Sequence, residues 1–66
     1  MSTAHVLRMI VGRLHVSTPD RVVRLHVRSK LARDTAPEVA RRVVAMAVRI
    51  HHANQRLYAG VMSGRL

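Results

Sequence analysis

Three carboxylates, Asp20, Asp34 and Glu38, and five histidines are the side chains best suited to proton transfer or metal binding, and the chain has no cysteine. Proton-transfer catalysis needs paired groups, a nucleophile with its base, or a metal with an open position. All three acids stand at expected helix starts, where capping and the positive end of the helix dipole account for them. His51 and His52 are adjacent, so on a helix they point about 100° apart and do not share an ion as an i, i+4 pair does. His5, His15 and His26 are scattered and read as polar surface residues or hydrogen-bonded interior residues. The three glycines are isolated, unlike those of a phosphate-cradling loop. The sequence therefore predicts a non-enzymatic protein with no cofactor, metal or small-molecule substrate.

What remains is positive charge. Twelve basic residues, eleven of them arginine, stand against three acids and give a formal charge of +9. The planar guanidinium makes forked contacts to phosphate or carboxylate, so the expected partner is anionic: DNA, or an acidic host protein. Arg21, Arg24 and Arg28 recur on one face of the middle segment. Arg41, Arg42, Arg49 and Arg56, with His52, share one arc of the last segment. These seven arginines are the candidate contacts to nucleic acid or to an acidic partner. A solvated helix face explains them equally well, and GC-rich coding also favours arginine. Tyr58 is the only aromatic residue, which disfavours single-strand binding through stacked bases.

The elements that must carry these residues announce themselves by their starts. Ser2-Thr3, Thr18-Pro19-Asp20 and Thr35-Ala36-Pro37-Glu38 each have helix-start chemistry. In the last, Thr35 and Glu38 are expected to form a reciprocal capping box, with Pro37 in the first turn. A helix is predicted over residues 36–62. Within it Val39, Val43, Met46, Ile50, Ala53 and Leu57 recur at alternating steps of four and three, the spacing of a packed helical seam. A second apolar stripe, Ala40, Val44, Ala47, His51, Tyr58 and Met62, lies about a quarter-turn away, too wide an arc for one neighbouring helix to cover. Val39, Val43, Met46, Ile50, Leu57 and Tyr58 are the candidate oligomer or partner interface. Residues 19–32 read as an amphipathic helix, although Val23, Leu25 and Val27 also alternate as a strand would. In the first segment Val6, Leu7, Ile10, Val11 and Leu14 form a helical face, while Arg13 to Ser17 alternate polar and apolar residues. The final residues, 64–66, are expected to fray.

A chain of 66 residues forms one small domain, here all-α with two to three helices and a long C-terminal one. Without disulfides or thiolate metal sites, marginal stability at this size predicts help from a partner subunit, as a packed or intertwined homodimer. No apolar run approaches the ~20 residues of a membrane span. The start lacks the pattern of a signal peptide, so cytoplasmic residence is the expectation.

Two resemblances bear on function. The order strand, helix, turn, capped helix over residues 13–50 resembles ribbon-helix-helix DNA-binding proteins. That resemblance implies Arg13, His15 and Ser17 facing the major groove and Leu14 and Val16 facing a dimer core. Residues 51–64, HHANQRLYAGVMSG, resemble the tails of very small accessory proteins of temperate phages. Such proteins include transcriptional repressors and factors that bind a host regulator, pilus motor or defence complex, and they act in the bacterial cytoplasm. The expected function is DNA binding by a small regulator through its basic helical faces. The alternative is a phage-type inhibitor or anti-activator that places an amphipathic helix on a host protein. An anionic membrane surface is a weaker third partner, because interfacial Trp and Phe are lacking.

Overall fold

The computed structural model describes residues 2–64, which form three helices: α1 (Thr3–Gly12), α2 (Asp20–Lys30) and α3 (Pro37–Met62). No strand forms among the described residues, so the chain is all-α with a long C-terminal helix, as its sequence predicts. The expected fraying at Arg65 and Leu66 lies outside the described residues.

Each helix begins for a local reason. Ser2 is extended, and its Oγ accepts from the His5 amide at 3.2 Å, satisfying one of the first-turn donors. Pro19, at φ −63 and ψ 148, opens α2, with Asp20 in its first turn and Arg28 and Lys30 in its last, where each charge complements the helix dipole. Pro37 opens α3. The expected Thr35–Glu38 capping box does not form. A residue before proline is pushed out of the helical region, so the break falls on Ala36, at ψ 137, one residue beyond Thr35. At the far end Gly64 adopts φ 74 and its amide bonds the Val61 carbonyl at 3.1 Å, a left-handed stop that glycine takes without strain.

α1 and α2 pack chiefly on α3 and touch each other only slightly. The core is Leu7 and Val11 from α1, Val23 and Val27 from α2, and Val44, Ala47 and Val48 from α3. Ile10, Leu14, Val43 and Ile50 flank it. Val23 and Val27 are buried four residues apart while Val22 and Leu25 face solvent, which is helical and not strand periodicity.

One expectation is corrected here. The strand that a ribbon-helix-helix arrangement requires is absent: α1 runs to Gly12, and residues 13–18 turn back through bonds from Leu14 N to Val11 O and from Thr18 N to His15 O. The regular seam of α3 is split, with Val43 and Ile50 packed against the core and the rest turned outward. Val39, Met46 and Leu57 are 50%, 38% and 59% exposed, and the buried line runs through Val44, Ala47, Val48 and His51. Two short helices, not one long one, cover α3, and they centre on its second stripe.

α3 is about 39 Å long at a rise of 1.5 Å per residue, and it sets the 44 Å length of the molecule. Its partners are 10 and 11 residues long. Its last turns therefore project, leaving Leu57, Tyr58, Val61 and Met62 exposed.

Candidate functional site

Among the described residues the one close contact between a carboxylate and a basic side chain is the hydrogen bond from His52 Nε2 to Asp20 Oδ2 at 2.8 Å, tying α3 to the first turn of α2. Both side chains are more than a third exposed, so solvent screens the pair and it contributes little to stability. His52 thus leaves the basic arc that its spacing suggests. His51, beside it, is 1% exposed. Its Nε2 lies 2.8 Å from the Thr18 carbonyl, which can only accept, so that nitrogen carries the proton and donates. One turn on, the Gln55 amide donates to the Val16 carbonyl at 2.7 Å. The 3.2 Å approach of the two donor nitrogens to each other is therefore a contact and not a hydrogen bond. Together these residues hold the α1–α2 connection against α3. The i, i+4 spacing of His51 and Gln55 on an otherwise apolar stripe was the sequence signal for this network. The carbonyls they meet lie more than thirty residues away.

The arginines separate into two groups. Arg24 and Arg28 of α2 and Arg41 of α3 line one groove floored by Val44, Ala45 and Val48, with a volume of about 350 Å³. Arg28 and Arg41 also border the neighbouring hollow beside Pro37 and Ala40, and Arg33 joins Arg28 around the α2–α3 turn. No carboxylate lines any of these hollows. Arg33 has no place in the helical patterns of the sequence and enters only through the turn. Arg21 is exposed on α2, in line with Arg24 and Arg28 but outside the groove. Arg41 therefore belongs with α2, whereas Arg42, Arg49 and Arg56, exposed and seven residues apart, form a separate row on the side of α3 away from the core. The single basic ridge expected on α3 is divided.

Of the candidate interface residues, Val39, Met46, Leu57 and Tyr58 are exposed, and Val43 and Ile50 are half-buried at the edge of the core. Val39 and Val43 continue into an apolar groove of about 350 Å³ walled by Val6, Leu7 and Ile10 of α1, with Lys30 and Leu31 at the end of α2. No cluster of three or more metal-ligating side chains occurs among the described residues, and no helix is long and apolar enough to cross a membrane. No known protein family, curated protein or solved structure matches the chain.

Proposed function

We propose that the protein is a small non-enzymatic regulator that binds duplex DNA, in keeping with the phage-type accessory proteins its tail resembles. The observation that carries this reading is the convergence of Arg24, Arg28 and Arg41 around one groove with no lining carboxylate. Three guanidinium groups on two packed helices form a positive surface that the fold holds in place, and counterion release on contact with phosphates would drive binding. Arg21 and Arg33 extend that surface along α2 and around the turn. Residues that read base edges are not evident, so affinity across sequences is expected to be broad.

The test is anisotropy of a labelled duplex over a range of salt concentrations. Arg24→Gln, Arg28→Gln and Arg41→Gln together should weaken all sequences alike and lower the salt slope by roughly three units, one per lost phosphate contact. Absence of retention at low salt, or an unchanged slope in the triple variant, would overturn the proposal. A second reading, modulation of an acidic host protein, is favoured by a different surface, the exposed seam residues Val39, Met46 and Leu57 of α3.

A further inference from the structure

We propose that the groove between α1 and α3, continued by the exposed seam residues of α3, is a docking site for an amphipathic helix of an acidic protein, one whose apolar seam is flanked by Asp or Glu. This inference develops the second reading above and is independent of DNA contact, which would use Arg24, Arg28 and Arg41.

This surface is apolar and regular. Val39, Met46 and Leu57 are exposed along α3, so part of the four-three seam of a helix pair is presented outward, while Val43 and Ile50 beside them also pack on the chain's own core. At one end the seam runs into the apolar groove of about 350 Å³ against Val6 and Ile10, with room for a side chain from the partner. The chain exposes 5166 Å², against about 4,200 Å² for a compact monomer of its mass. The excess is of the order of the ~800 Å² per partner of a standard interface.

Charge decides the occupant. In the register of this seam Arg42, Arg49 and Arg56 occupy the flanking position once every seven residues, where helix pairs place the charges that choose a partner. The opposite flank is closed at Ala47, which is turned into the chain's own core, and Ala40 is half-buried. A second copy fits poorly for both reasons. Antiparallel pairing would bring two arginine rows together, and parallel pairing would need Ala47, which is fully buried, to face the partner. The chain also has no acid to offer, since Asp20 is held by His52 and neither Asp34 nor Glu38 lies on this seam. A helix with carboxylates beside its seam meets all three arginines, and Lys30 stands at the end of the groove to meet a fourth.

The experiment uses two designed labelled peptides with the same Leu/Ile seam, one flanked by Glu and one by Lys, titrated against the intact protein and followed by anisotropy. The Glu peptide should bind about tenfold tighter or more, from three rim pairs of modest strength each. Arg42→Glu, Arg49→Glu and Arg56→Glu together should reverse that preference. Met46→Gln and Leu57→Gln should each weaken the Glu peptide while leaving the helical melting curve in place. Because the arginine row is fully on the surface, the charge reversal tests the site even if a seam variant fails to fold. Equal binding of the two peptides, or no reversal, would overturn the proposal. So would sedimentation of the free protein as a dimer that Leu57→Gln dissociates, since a second copy would then cover the seam. Displacement of the Glu peptide by duplex DNA in the Arg24→Gln, Arg28→Gln, Arg41→Gln variant would likewise overturn it, by assigning the row to phosphate.

Discussion

Removing the buried imidazole should cost this fold a large part of its stability. His51→Ala deletes a ring that is 1% exposed and with it the bond to the Thr18 carbonyl. Loss of a buried ring together with a hydrogen bond amounts to about 3 kcal/mol. A chain of this length has in total about 3–10 kcal/mol of stability, so the variant should lose about a third of it or more and unfold at a markedly lower urea concentration. His51→Phe separates the two contributions: it keeps a ring of similar size but leaves the Thr18 carbonyl without its donor, at about 1–2 kcal/mol. Gln55→Ala removes the bond to Val16, at about 1 kcal/mol. Because His51 and Gln55 secure the same connection, the double variant should be non-additive by about 0.5–1 kcal/mol. Urea titration followed by helical circular dichroism measures all four proteins, with the slope held constant across them as the check that only stability has changed. A His51→Ala midpoint within error of the parent would refute the burial of this ring. A His51→Phe variant as stable as the parent would refute the part assigned to the Thr18 bond.

Ile50→Asp should unfold the chain, because Ile50 packs against the core edge and an unpaired charge there costs several kcal/mol, by order of magnitude; thermal melting decides this. Met46→Gln, on the open side of the same helix, should move the melting midpoint little, since exposed positions change stability by about ±0.5 kcal/mol. Ala47→Leu should destabilise by about 1–3 kcal/mol in urea titration, because the position is 0% exposed and admits no added methylenes. Ser2→Ala should cost about 1 kcal/mol or less, and hydrogen exchange should report that loss in the first turn of α1.

Much of this protein is decided close along the chain. Ser2 starts its helix through a hydrogen bond three residues on, and Pro19 and Pro37 start theirs through the fixed proline φ, so three helices and their approximate limits follow from local chemistry. The charge, the paucity of acids and the presence of two apolar stripes on α3 are equally plain in the residues. Even there the local rules compete: Thr35 looks like the cap, but the restriction Pro37 places on Ala36 moves the helix start past it. What lies inside was a choice between two stripes, and periodicity does not make it, because both satisfy the same spacing. The tertiary structure makes it through length and partners. Helices of 10 and 11 residues cover only part of a 26-residue one, and they converge where Ala47 allows close packing and where Thr18 and Val16 offer carbonyls to His51 and Gln55. The same convergence brings Arg24 and Arg28 beside Arg41, separates Arg41 from Arg42, and turns part of the regular seam outward. These are relations between residues far apart in sequence. They depend on how three helices share one small core, which no spacing within a single helix encodes.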